Sequence, residues 1–235
     1  MSEAIHVQEV GITITAKDLN PTSINPDFLK YSDIIPSDWE VSRPPVYTNR
    51  IVQIVYKNGL SLVIQPNRID FIEVFSNSDA HPKQVYSIAS KYVQKLSKVD
   101  YQGISINARA HTQFANKHET QRYLTTQILS PGPWSENSTG PVQAAIQLIY
   151  PQERGQLNLL INQAEFKRSE TESDAAILFS GNYSFELEGE NSETRLKDLL
   201  SLITDWSSCV ETFEQIVQQF VHSSTNLLIP IADAA

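Results

Sequence analysis

The sequence predicts an α+β fold: one antiparallel sheet made of two β-β-β-α halves with a βα insertion, and helices packed mainly on one face. Two observations support this prediction. Three short strand-like segments precede a long amphipathic helix in residues 50–96, and the same order returns in residues 141–222. Between them, residues 101–129 supply a further strand and a short helix. We interpret residues 1–235 as a single domain, because this length suffices for one substantial core.

The chain begins with a strand and a proline-rich arm. Apolar and polar residues alternate from Val7 to Thr15, which is typical of a strand with one buried face, so we assign residues 1–16 to an N-terminal strand. Residues 17–49 contain five prolines, which exclude a long helix or a central strand. Apolar residues recur along this arm, so we expect it to wrap around the sheet, with Trp39 as its candidate partner-binding residue.

The first half, residues 50–129 with the insertion included, opens with a hairpin signal. The strand-like runs RIVQIVY and LSLVIQ flank Asn58-Gly59, a pair that favours a tight type I′ turn, in which both central residues have positive φ. A third strand is predicted at residues 68–75. Apolar residues at helical spacing then predict an amphipathic helix that ends near Leu96.

The second half, residues 130–222, has the same order of elements. Its strands are predicted at residues 142–150, 156–166 and 175–187. Gly181 inside the third strand indicates either a bulge or a close approach to the backbone. Apolar residues spaced alternately three and four positions apart then predict one long helix over residues 192–222.

The charge balance limits the classes of partner. Lysine and arginine total 18 against 27 acidic residues, a net charge of −9, which opposes binding to a nucleic-acid backbone or an anionic membrane surface. Cys209 is the single cysteine, so no internal disulfide is possible. The first residues lack the pattern of a signal peptide, and no window approaches the roughly 18 apolar residues of a membrane span. We therefore expect a cytoplasmic protein.

No established catalytic or cofactor motif occurs in the sequence. Glycine-rich phosphate loops, the nucleophile elbow and zinc-binding patterns are all absent. His111, His118 and Glu119 come closest to a set of metal ligands, but their spacing matches no known motif. We therefore expect no metal and no cofactor, and we assign no catalytic residue.

One face of the strand in the insertion carries a run of polar side chains. Asn107, Arg109 and His111 are the candidate ligand-binding residues of this face, because alternate residues of a strand point the same way. A carboxylate from the preceding strand, Asp70 or Glu73, is the candidate partner of the arginine or the histidine. The alternative is a solvated face, which antiparallel sheets commonly have.

The tail, residues 223–235, contains an apolar segment. Exposing such a segment to water is unfavourable, so we expect it either to cover the chain's own sheet or to add to the edge strand of a partner. Pro230 limits the length of ladder that the tail can form. The candidate partner-binding residues of the tail are Leu227, Leu228, Ile229 and Ile231.

Several segments carry a resemblance to known proteins. They are residues 36–47, RIVQIVYKNGLSLVIQPNRIDF, KYVQKL, GISIN at residues 103–107, and Asp205-Trp206 in the last predicted helix. In these segments the chain resembles a group of uncharacterised bacterial soluble proteins with a strand-rich start, a strand with a Gly-Ile-Asn motif and a terminal tryptophan-containing helix. The group has no assigned activity, so the resemblance implies a shape and no catalytic residue.

The sequence favours a non-enzymatic interaction or assembly protein. It combines an aromatic-bearing arm, an apolar tail and a long helix with no recognised chemistry. We expect a protein partner, and a second copy of the chain is one candidate, because sheet edges and the long helix offer symmetric contacts. The alternative is a small-ligand binder, or an enzyme of unrecognised type, that uses the polar strand face.

Overall fold

The computed structural model describes residues 5–75, 84–130, 132–135, 139–140, 142–167 and 173–223. Within these residues the protein has an α+β fold built on one antiparallel sheet. The strands are β1 (His6–Lys17), β2 (Val46–Tyr47), β3 (Val52–Val55), β4 (Leu60–Gln65), β5 (Arg68–Val74), β6 (Asp100–Phe114), β7 (Ala145–Pro151), β8 (Gln156–Lys167) and β9 (Ser173–Glu186). The helices are α1 (Pro26–Tyr31), α2 (Gln84–Lys95), α3 (Lys117–Arg122), α4 (Ser192–Thr204) and α5 (Trp206–Ser223). A π-helical segment (Tyr123–Ile128) continues α3.

The strand order is β2-β3-β4-β5-β1-β6-β9-β8-β7. The pair β1–β6 lies at the centre of the sheet. β1 is flanked by the four strands β2 to β5 and β6 by the three strands β7 to β9, and in each set the last strand in the sequence lies innermost. The predicted fold class is therefore confirmed. β1, the N-terminal strand, and β6, the strand of the insertion, therefore occupy equivalent positions at the centre of the sheet. The sequence does not predict this arrangement.

Alternate residues of each long strand face one layer of helices. Ile12 on β1 lies opposite both Phe71 on β5 and Ile106 on β6, and all three side chains are buried. The ring of Tyr92 on α2 meets Phe71 edge to face, with 5.4 Å between the ring centroids. The prediction that helices cover mainly one face is therefore confirmed. No helix among the described residues is long and apolar enough to cross a membrane.

The helix predicted over residues 192–222 is two helices. α4 begins at Ser192, as predicted, and ends at Thr204, and Asp205 separates it from α5. Trp206, the first residue of α5, stacks on Tyr86 of α2 with 3.6 Å between ring centroids and 10° between the ring planes. The prediction of one uninterrupted helix was wrong. The helical spacing of apolar residues continues across the single-residue break, so the spacing does not indicate where the first helix ends.

The arm packs against the core of the sheet. Its short helix α1 starts at Pro26, and the side chain of Asn25 caps it by accepting a 2.8 Å hydrogen bond from the Phe28 amide. Trp39 lies half-buried against Tyr56 of the β3–β4 hairpin, with ring centroids 5.6 Å apart. The buried apolar residues of the arm are Leu19, Ile24, Leu29, Ile34 and Ile35.

The turn between β3 and β4 differs from the predicted type. Gly59 has φ of +91°, whereas Asn58 is not in the positive-φ region, so the two-residue type I′ turn is excluded. The Gly59 amide donates to the Tyr56 carbonyl at 3.3 Å, and the Tyr56 amide donates to the Leu60 carbonyl at 2.8 Å. These bonds fit a three-residue loop that ends on a left-handed glycine, the next most common hairpin connection.

Candidate functional site

The face of the sheet opposite the helices is polar across its centre. We call the outward side chains of β5, β1, β6 and β9 the polar face. Its principal members are Glu9, Thr13, Arg68, Asp70, Asn107, Arg109, Ser180 and Asn182. The predicted ligand-binding residues Asn107 and Arg109 therefore lie among side chains from three other strands.

Side-chain hydrogen bonds run across the polar face in one direction. Asn182 donates from Nδ2 to Asn107 Oδ1 at 2.6 Å, and Asn107 donates from Nδ2 to Thr13 Oγ1 at 3.1 Å. Thr13 Oγ1 donates to Asp70 Oδ1 at 2.7 Å, and Arg68 Nε donates to both carboxylate oxygens of Asp70 at 2.7 and 2.9 Å. Every donor points toward the buried Asp70 carboxylate, so each bond polarises the next and the row is held in one arrangement.

Gly11 lines a depression in the middle of the polar face. It lies in β1 opposite Ile72 on one side and Asn107 on the other, and the depression has a volume of about 230 Å³. A Cβ atom there would lie 2.8 Å from the Phe71 carbonyl oxygen. A glycine inside a strand often marks the close approach of a ligand or of another part of the backbone, and here the backbone of β5 approaches it. From the sequence alone, Gly11 is only one position in the alternating pattern of the N-terminal strand.

Glu9 is the partner of Arg109. The two residues lie directly opposite each other on β1 and β6, with Arg109 Nη1 at 3.3 and 3.4 Å from the two carboxylate oxygens. The predicted pairing with Asp70 or Glu73 was wrong. Both carboxylates lie on β5, and β1 separates β5 from β6. Asp70 is bound by Arg68 instead.

His111 does not line the depression. It lies on the polar face two residues beyond Arg109, and its ring packs against Phe166 with 4.6 Å between centroids. The three predicted ligand-binding residues are therefore divided, since only Asn107 and Arg109 border the cavity.

Glu73 is buried on the side of the helices. Its carboxylate accepts a 3.0 Å hydrogen bond from the Val85 amide in the first turn of α2. Burial raises the pKa of Glu73 above its ordinary value, and the hydrogen bonds from the backbone of Val85 and Gln84 only partly oppose this rise. The ionised form is therefore disfavoured in the folded chain.

We expect E73Q to be more stable than the wild type at neutral pH. At acidic pH, Glu73 is protonated in both the folded and the unfolded chain, so its ionisation does not change the free energy of unfolding. As the pH rises through the ordinary glutamate pKa, the unfolded chain ionises first, and the free energy of unfolding falls until the raised pKa of the folded chain is passed. Urea unfolding at a series of pH values should show the advantage of E73Q widening from acidic to neutral pH. A difference in the free energy of unfolding between E73Q and the wild type that stays constant with pH would contradict a raised pKa for Glu73.

A second, larger groove lies at one end of β6 and β9. It is open and has a volume of about 1250 Å³. Its arginines are already paired: Arg154 bridges Asp198 of α4 and Glu188, and Arg195 pairs with Asp100. These ion pairs join α4 and the loop before it to the ends of the strands, so we interpret the groove as structural.

The two edges of the sheet differ in length and composition. β2 has only two residues and follows Pro44-Pro45. β7 has seven residues, none charged, and the facing residues 156–162 of β8 are also uncharged. Ile149 is 57% exposed and Leu160 is 41% exposed on the same face as the polar residues. We call residues 145–151 with residues 156–162 the β7 edge.

The remaining candidate residues do not form a site within the described chain. His118 and Glu119 are exposed in the first turn of α3, and no group of three His, Cys, Asp or Glu side chains in the described ranges is arranged to hold a metal ion. The candidate residues of the tail lie outside the described residues: Leu227, Leu228, Ile229 and Ile231. No protein-family model and no curated protein matches the chain.

Proposed function

We propose that this chain is a non-enzymatic assembly protein whose β7 edge pairs with the β7 edge of a second copy. One observation carries the proposal: within the described ranges the sheet has one long, uncharged edge strand, whereas its other edge is two residues long and follows two prolines. An exposed strand presents unpaired backbone groups, and proteins commonly protect such edges with charges, prolines or bulges. β7 has a proline only at its last position, Pro151.

Charge favours a second copy as the occupant of this edge. The chain has a net charge of −9, so two copies repel each other over most of their surface. The fourteen residues of the β7 edge carry no charge, so two copies can approach there with little repulsion. The exposed side chains of Ile149 and Leu160 would be partly removed from water in the same contact.

The length of β7 suits a symmetric contact. A twofold axis through Leu148 pairs Ile146 with Tyr150 of the second copy, and Gln147 with Ile149 of the second copy. Opposite residues of an antiparallel pair lie on the same face, so this register keeps the helices of both copies on one side of a continuous sheet. The result is an isologous dimer, the commonest type of homo-oligomer.

We expect I149K to weaken the dimer at least tenfold. The substitution places a lysine in each copy close to the twofold axis, where the two like charges repel and must also lose water. Analytical ultracentrifugation over a concentration series would measure the dissociation constant. V74K is the matched control, because Val74 is a similarly exposed strand residue, 51% exposed, at the end of β5 and far from β7 in the sheet order.

Two outcomes would contradict the proposal. One is a wild-type chain that stays monomeric up to its solubility limit, and the other is an equal loss of association in I149K and V74K. Deletion of residues 224–235 adds a third test, because the apolar tail is the competing occupant of the edge. The proposal predicts unchanged association, whereas a tail that covers β7 would leave a stronger dimer when removed.

A further inference from the structure

We infer that the depression at Gly11 binds a small zwitterion of the α-amino-acid type, with the ligand carboxylate on Arg109 and the ligand ammonium on Glu9. The site lies on the polar face and does not require the β7 dimer. Four features of the depression support this: the geometry of the Glu9–Arg109 pair, the charge balance, the fixed polar row and the size of the cavity.

The Glu9–Arg109 pair can open to admit charged groups. Its nitrogen–oxygen distances of 3.3 and 3.4 Å exceed the 2.7–2.9 Å that is usual for a charge-assisted hydrogen bond. The Arg109 side chain lines the depression and is 51% exposed, and its contacts with Glu9 are made through Nη1. A carboxylate can therefore bind the arginine fork while an adjacent ammonium binds the glutamate.

The charges of the depression select a ligand without net charge. Arg68 and Asp70 form a tight pair with a 2.6 Å contact between Nη2 and Oδ1, and Thr13 also donates to this carboxylate. Glu9 and Arg109 supply one charge of each sign. The four formal charges sum to zero, and the net charge of −9 on the whole chain disfavours an anion. A phosphate or a simple carboxylate would match only half of this arrangement.

The fixed polar row supplies the neutral contacts. Asn107 and Asn182 line the cavity, and the hydrogen bonds that run toward Asp70 hold their side-chain amides in place before a ligand binds. Ile72 provides an apolar wall on the opposite side of Gly11. The volume of about 230 Å³ equals that of roughly eight waters, which suits a ligand of amino-acid size.

Free amino acids are the probe that tests this inference. Glycine, alanine, serine, asparagine and leucine would each be titrated into the full chain, with binding followed by isothermal calorimetry and by ligand-observed NMR. We expect saturable binding of at least one of them. The N-acetyl derivative and the carboxamide of that amino acid should bind at least tenfold more weakly, because each lacks one of the two charges.

Substitutions identify the site and separate it from general surface binding. R109Q and E9Q should each weaken binding at least tenfold without changing the thermal unfolding midpoint by more than a few degrees. K57Q and E40Q are the matched controls, because Lys57 and Glu40 form an exposed ion pair elsewhere on the chain and should leave binding unchanged.

Three results would overturn the inference: no saturable binding of any of the five amino acids, binding of the blocked derivatives as tight as that of the free amino acid, or binding by R109Q and E9Q as tight as by the wild type. The same titration on I149K keeps this inference distinct from the proposed dimer. Binding should persist in that variant, because Glu9 and Arg109 lie on β1 and β6, and β9 and β8 separate them from β7.

Discussion

Replacement of Phe213 by alanine should lower the free energy of unfolding by about 3–5 kcal/mol, because the ring is fully buried and alanine leaves a cavity. Phe213 lies on α5 and packs directly on the backbone of β9 at Gly181. A Cβ atom at position 181 would lie 2.5 Å from Phe213 Cδ2. Guanidinium unfolding monitored by circular dichroism would measure the loss. V74A, at an exposed strand position, should change stability by less than about 1 kcal/mol.

Gly181 provides the complementary test of this contact. G181A inserts a methyl group where the Phe213 ring lies, and overpacking of this kind typically costs about 1–3 kcal/mol. In the F213A background the same methyl group enters the space that the ring has left, so G181A should cost much less there. A double-mutant cycle measures this coupling directly. Additive effects of the two substitutions would show that ring and glycine are not in contact.

The close approach at Gly181 was predicted from the sequence, together with the alternative of a bulge. The structure decides between them, because the register of β6 with β9 runs without interruption past Gly181. Local alternation and helical spacing carry information about which segments are strands and helices. They carry none about which helix residue packs above a given strand, so Phe213 could not be named in advance.

The candidate site was predictable to the same limited extent. Alternation along one strand placed Asn107 and Arg109 on a shared face, and both border the depression. Glu9, Gly11 and the rest of the polar row come from other strands, and they reach this face only because β1 lies between β5 and β6. That order joins residues about 100 positions apart, such as Arg109 and Glu9, and a single sequence does not encode it in any local pattern.

The β7 edge was hidden for the same physical reason. The uncharged runs at residues 145–151 and 156–162 are visible in the sequence, but such runs also suit strands inside a sheet. Only the strand order shows that, among the residues the structure describes, β7 has a neighbour on one side alone. The sequence therefore shows that these two runs are uncharged, whereas the strand order shows that they lie at an edge of the sheet.

The second large effect concerns the arm, and we expect L29A to destabilise the whole chain by about 2–5 kcal/mol. Leu29 lies in α1 and is fully buried in the core cluster that includes the sheet. Y31A is the matched control, because Tyr31 lies in the same short helix and is 91% exposed, so its loss should change stability by no more than about 0.5 kcal/mol. Chemical unfolding followed by tryptophan fluorescence and by circular dichroism would compare the two variants.

The result for Leu29 decides how the arm is to be understood. A large, cooperative loss in L29A means that residues 17–49 fold with the sheet, and that Trp39 is held against Tyr56 as part of the hairpin's packing. Near-wild-type stability of L29A would mean that the arm contributes little to the fold, and it would favour Trp39 as an anchor for a partner. A loss seen by fluorescence and not by circular dichroism would mean a change around one of the three tryptophans while the secondary structure stays folded.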